Sequence, residues 1–199
     1  MSNILHIISS TNGAQSVSIQ LGNAIVAKLQ AANPGSTVKT VNLTAQPIPH
    51  LDEALTTALR TPQDKRTAED VKLLERSDEA VRDLFAADTI VIGVPLINFS
   101  IPSSLKAWVD NIVRAGVTFS YTEKGIQGLV TGRKVYIALA SGGIYSEGPM
   151  QAYDHAVPYL VSLFNSIGLK DIEVVRAEGL GMPVIQDTAL EKAVNSVVV

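Results

Sequence analysis

The sequence predicts a single α/β domain: a doubly wound, five-stranded parallel sheet with helices on both faces. Three observations lead there. Short runs rich in β-branched and aliphatic residues recur between longer segments with helical spacing. Three of those runs, 4–8, 89–94 and 135–139, are largely apolar on both faces, as strands beneath two helix layers must be. The 199 residues contain no internal repeat, low-complexity tract or linker, so residues 1–199 read as one domain, within the roughly 100–200 residues usual for one.

Taken in order, the strands fall at 4–8, 37–42, 88–94, 133–140 and 171–177. Helices fit 16–32, 67–86, 103–115, 152–167 and 186–197, the second showing Val71, Leu74, Val81, Leu84 and Phe85 at helical spacing. The segments 46–62, with three prolines, and 116–132 exceed the usual connection of about 4–6 residues and read as long loops for binding or subunit contact. Right-handed crossovers favour a doubly wound sheet, whose ligand site lies outside the carboxyl ends of the strands where strand order reverses.

Composition narrows the chemistry. The formal charge is −3 and Lys and Arg are scattered, so no nucleic-acid partner is expected. With no cysteine, thiolate nucleophiles and Cys-ligated metal sites are excluded, and redox chemistry would have to come from a cofactor. No apolar run approaches the roughly 18–20 residues of a membrane span, and the first ten residues lack a basic, apolar leader, so no membrane partner and a cytoplasmic location are expected. His6, His50 and His155 lack short metal-ligand spacing, so no metal is expected. His6 reads as a hydrogen-bonded strand residue and Trp108 as core.

Three loops could carry chemistry. Ser9–Ser18 contains four serines and a threonine and opens into a helix, where free amides and the helix dipole attract an anion. The competing reading is simple capping by Ser16. It is neither a Gly-x-Gly-x-x-Gly nor a Gly-x-x-x-x-Gly-Lys-Ser/Thr loop. After the third strand, Pro95-Leu-Ile-Asn-Phe99 offers a surface for a flat aromatic ligand, or else a core-packing turn before a helix capped at Ser103. After the fourth, Ala140-Ser-Gly-Gly-Ile144 lets the backbone approach a ligand, or else marks an ordinary turn.

At these residues the chain resembles the FMN-dependent NADH:quinone oxidoreductases, or azoreductases, of the flavodoxin-like superfamily, over nearly its whole length. The resemblance is carried by Ser9-Ser10 with Ser16-x-Ser18, Pro95-x-x-Asn-Phe99, Leu105-Lys-x-Trp-x-Asp110, Arg114-Ala-Gly-Val-Thr-Phe119, Tyr121-Thr-Glu, Gly128-Leu-Val-Thr-Gly132 and Gly142-Gly-Ile144. It implies a flavodoxin-like fold with Ser10, Ser16, Val17 and Ser18 on the FMN phosphate. Leu96, Ile97, Asn98 and Phe99 would then lie along the ribityl chain and ring, and Ala140, Ser141, Gly142 and Gly143 at the pyrimidine end. The chain departs from many relatives at Ile97, where they carry an aromatic, and from some at Ala140-Ser141, where they carry Ser-Arg.

The resemblance further implies a homodimer, NADH or NADPH as donor, and a quinone or azo compound as acceptor, with the redox chemistry on FMN and no catalytic side chain. Phe119 is expected to wall the substrate pocket and Arg60, in the first long loop, to reach its mouth or else to be a solvated surface residue. The competing class is a flavodoxin-like carrier or binding module without turnover. A phospho-receiver domain would need an aspartate near the end of the third strand, where Gly93-Val-Pro95 stands.

Overall fold

The computed structural model describes residues 2–199. Five parallel strands form the central sheet: β1 (Asn3–Ile8), β2 (Thr37–Asn42), β3 (Thr89–Pro95), β6 (Lys134–Ala140) and β7 (Asp171–Ala177), in the order β2-β1-β3-β6-β7. A separate antiparallel hairpin joins β4 (Phe119–Thr122) to β5 (Gly125–Gly128). The helices are α1 (Val17–Ala32), α2 (Glu53–Arg60), α3 (Ala68–Ala86), α4 (Ser103–Ile112), α5 (Val157–Ile167) and α6 (Gln186–Ser196). No described helix is long and apolar enough to cross a membrane.

The period-two alternation of the strands divides the interior into two layers. Leu5, Ile7, Ile90, Ile92, Val135 and Ile137 face α3, α4 and α5, where Leu84, Trp108, Leu160 and Phe164 are buried. Their neighbours Ile4, Val91, Tyr136 and Ala138 face α1 and α6, meeting Leu21, Ile25 and Ala193. Each buried large apolar side chain contributes about 1.5–3 kcal/mol. Trp108 is core, as expected.

Register brings the working edge together. Ile8 pairs with Gly93, and Pro95 with Ala140, so the chain leaves β1, β3 and β6 side by side. Strand order reverses between β1 and β3, the crevice that open α/β sheets use for ligands.

The two long segments are not plain loops. Within 46–62, Asp52 caps α2 by accepting from the Leu55 amide at 2.7 Å, and Leu55 and Ala58 pack on Leu74 of α3. Arg60 is therefore the last residue of a helix. Within 116–132 lies the hairpin, whose return strand presses on the end of α5: a Cβ at Gly128 would stand 2.0 Å from the Gly168 nitrogen. Two helices are also shorter than expected: α4 stops at Ile112, and Pro149–Tyr153 is a 3₁₀ turn ahead of α5.

Candidate cofactor site

The loop after β1 is held down by Ser9, whose hydroxyl donates to the Gly93 carbonyl at 2.7 Å, while Ser104 on α4 donates to the Ser9 carbonyl at 3.3 Å. Ser10 accepts from the Asn12 amide at 3.2 Å. Ser16 occupies the N-cap position of α1 but makes no side-chain cap; its hydroxyl instead lies 3.0 Å from that of Ser18. The first amides of α1, those of Val17 and Ser18, have no intrahelical acceptor by helix geometry. Two hydroxyls, these amides and the positive end of the dipole form a donor set that suits a phosphate.

Helix α1 can begin so close to the sheet because β3 carries Gly93 there. A Cβ at that position would stand 3.0 Å from the Ser18 carbonyl oxygen. One turn further on, Gly22 makes room for His6, whose Nε2 is buried without a partner. The expectation of a hydrogen-bonded His6 therefore fails at that atom, because the helix face above it offers only glycine. Burial lowers the His6 pKa to about 4, leaving the ring neutral near pH 7.

After β3, the Leu96 amide donates to the Ala140 carbonyl at 2.8 Å, joining this loop to the one after β6. Ile97 and Ser100 exchange two hydrogen bonds of 2.9 Å around a two-residue turn. Its central residues are Asn98 at φ 47° and Phe99 at φ 67°, both left-handed without being glycine. Asparagine tolerates this region; for phenylalanine it is strained, and such strain concentrates at ligand sites. The turn leaves Ile97 and Phe99 exposed. Beside it opens a cavity of about 840 Å³ lined by Ile97, Asn98, Ile101, Lys106, His155 and Tyr159. Burial raises the Tyr159 pKa, so its phenol stays protonated.

The loop after β6 is fixed from behind. The Ser141 hydroxyl donates to the Gly143 carbonyl at 2.9 Å, and the Gly142 and Gly143 carbonyls accept from the amides of Gly181 and Gly179 at 2.9 and 3.1 Å. A Cβ at Gly142 would meet nothing within 4 Å, so the space in front of it is open. At Gly143 it would crowd the Tyr145 ring at 3.2 Å.

The structure thus gathers the three loops at one edge. Phe119 and Arg60 lie on other surfaces: Phe119 packs edge-on against Tyr121 of the hairpin at 5.3 Å, and Arg60 lines a cleft with Arg66, Asp78, Arg114 and Gly116. Among the described residues no cluster of three or more His, Asp or Glu could hold a metal ion. Gly93, Tyr145, Tyr153 and Arg176 also shape the site without having been singled out in the sequence. Of these, Gly93 alone left a signal, as a glycine in a strand interior that marks close backbone approach.

Comparison with known proteins decides the family. The family model described as flavodoxin-like fold matches residues 2–198. An FMN-dependent NADH:quinone oxidoreductase of Rhizobium leguminosarum bv. trifolii is 50% identical over 196 residues, covering 98% of this chain and 94% of the relative. The chain belongs to the FMN-dependent NADH:quinone oxidoreductase family. Within that family, an Agrobacterium fabrum protein of the same description is 50% identical over 194 residues, covering 98% of this chain and 93% of the relative. Among solved structures, an azoreductase from Bacillus anthracis str. Sterne superposes with a TM-score of 0.91 at 30% identity, covering 98% of this chain and 96% of that one. An FMN-dependent NADH-azoreductase of Bacillus anthracis str. Ames Ancestor, in complex with FMN, gives 0.84 at 31% identity, covering 98% and 97%. The parallel five-stranded sheet expected from the apolar runs is the flavodoxin-like fold of this family.

Proposed function

We propose that the protein is an FMN-dependent NAD(P)H:quinone oxidoreductase that also cleaves azo compounds reductively. The observation that carries this reading is the convergence of three loops at the strand-order reversal, one with a hydroxyl pair at a helix start and one with a strained Asn98–Phe99 turn. It is supported by relatives at 50% identity whose names specify FMN, NADH and quinone.

When bound, FMN would supply the redox chemistry, two-electron transfer between a reduced nicotinamide and the acceptor. The chain's own groups bind and orient. Ser10, Ser16, Val17 and Ser18 would hold its phosphate through hydroxyls, orphan amides and the dipole of α1. Leu96, Ile97, Asn98 and Phe99 would hold the ribityl chain and ring, with Asn98 and Phe99 already fixed by the strained turn. Ala140, Ser141, Gly142 and Gly143 would hold the pyrimidine end, with open space before Gly142 to receive it. With Ile97 in place of an aromatic, stacking on that side is aliphatic.

Phe119 and Arg60 stand apart from these loops within one chain, so their contribution to substrate binding runs through a homodimer in which each site is completed by the partner. Exposed Tyr121, Ile126 and Leu129 on and beside the hairpin support such an interface. The reading includes a cytoplasmic location.

Steady-state oxidation of NADH or NADPH by the FMN-loaded protein tests this function. Sustained turnover with benzoquinone and with an azo dye is expected. FMN binding without turnover on either acceptor would identify a carrier or binding module instead.

A further inference from the structure

Residues 145–154 connect the loop after β6 to α5; one end is tied to Arg176 directly and the other through Glu178. Arg176, near the end of β7, places one guanidinium nitrogen 2.6 Å from Asp154 Oδ2 and another 3.2 Å from Glu178 Oε1. Each carboxylate has a second task. Asp154 Oδ1 accepts from the amides of Ala156 and Val157 at 3.1 and 3.0 Å, which starts α5. Glu178 accepts from the Tyr145 amide at 2.8 Å and from the Ser146 hydroxyl at 2.5 Å. A planar fork that meets two carboxylates at once is a geometry lysine cannot reproduce.

What this clamp holds in place is an aromatic wall. The Phe99 ring lies 5.2 Å from Tyr153 and 6.2 Å from Tyr145, and the Phe99 carbonyl accepts from the His155 amide at 3.0 Å. Phe99 and Tyr153 are 41% and 47% exposed, so the wall faces outward and is not core. The side chains of Arg176, Asp154 and Glu178 are 19%, 4% and 10% exposed. A largely buried ionic triad is a poor source of stability compared with apolar packing, and β7 is already anchored through Val175 and Ala177. Its value is geometric.

We propose that Arg176 is a positioning residue for the redox reaction: by clamping both ends of 145–154 it sets the Phe99–Tyr145–Tyr153 wall that bounds the acceptor over the flavin ring. The inference rests on the reading of the Asn98–Phe99 turn as the loop along the ring.

The test uses Arg176→Met, Arg176→Lys and Asp154→Asn. The last keeps a side-chain carbonyl to start α5 while removing the charge facing Arg176, so the question stays open to test should Arg176→Met fail to fold. The readouts are FMN affinity, KM and kcat for benzoquinone, and amide exchange across 145–156 in the FMN-free protein. All folded variants are expected to retain FMN binding, because the phosphate loop is untouched. In Arg176→Met and Asp154→Asn, kcat/KM for the quinone falls about tenfold or more through a raised KM, since a displaced wall misplaces the acceptor, with partial recovery in Arg176→Lys. The Tyr145 and His155 amides exchange about tenfold faster while those of β1 and α1 do not change, because only local opening is affected.

Unchanged kcat/KM, or faster exchange spread over the whole sheet, overturns the proposal. If the wild type itself neither binds FMN nor turns over, the functional reading fails and the proposal with it. Wild-type activity with indifferent variants sinks the proposal alone.

Discussion

Ser16 and Ser18 hold their hydroxyls 3.0 Å apart at the first turn of α1, and Ser16, though at the N-cap position, caps nothing. A serine at that position normally satisfies an amide of the first turn. Here those amides are left for another acceptor. Replacing both with Ala should weaken FMN binding by about 1.5–3 kcal/mol per lost hydrogen bond to a charged group, while the fold keeps its stability because the pair satisfies only itself. Quenching of flavin fluorescence on titration measures the first effect, and chemical denaturation the second.

Gly93 sets the depth at which α1 begins. Gly93→Ala places a Cβ 3.0 Å from the Ser18 carbonyl oxygen, backbone that cannot swing away. Destabilisation of about 1–3 kcal/mol, the range for overpacking, should accompany weaker FMN binding, and Gly93→Val should be worse. Denaturation midpoints with and without FMN report both.

Phe99 combines a strained backbone with a useful ring. Phe99→Gly relieves a left-handed φ of 67° but removes two aromatic contacts. Strain relief of about 1–2 kcal/mol and the loss of two contacts, about 1–3 kcal/mol together, oppose one another, so stability should move by less than about 2 kcal/mol. Turnover should nonetheless fall. A variant that lost activity and stability in parallel would contradict the separation.

His6 gives the fold a pH dependence. Its folded pKa of about 4 lies below the usual 6.5, so between those values the unfolded chain binds the proton more readily. Stability from this group is complete above pH 6.5 and is lost as the pH falls toward 4, at up to about 1.4 kcal/mol per pH unit. Denaturation curves at pH 7.5 and 5 should show the loss, and His6→Leu should flatten it.

The elements legible in the sequence are those with short-range signals. β2 and β7 fall where their β-branched runs place them, and β3 and β6 within a residue of expectation, because buried parallel strands are uninterrupted apolar runs. Helix α2 was hidden by Pro47, Pro49 and Pro62 on either side, although Asp52 with Leu55 and Ala58 is a capped, amphipathic start. The β4–β5 hairpin carries a weak signal: its strands are four residues long and mostly exposed, and only Phe119-Ser-Tyr121-Thr alternates.

At the site, the serines and the Gly142–Gly143 pair announced themselves by residue type. The left-handed backbone of Phe99 did not, since nothing local demands it of a phenylalanine. The Arg176 clamp was invisible too: it joins residues 22 apart through ion pairs that only the folded sheet creates.

Whether this chain carries FMN and cycles it between a nicotinamide and a quinone is read from one anaerobic absorption spectrum of the FMN-loaded protein. A yellow protein bleached by NADH or NADPH and recoloured on addition of benzoquinone is expected. A protein that takes up no FMN, or whose bound flavin neither nicotinamide bleaches, would contradict it.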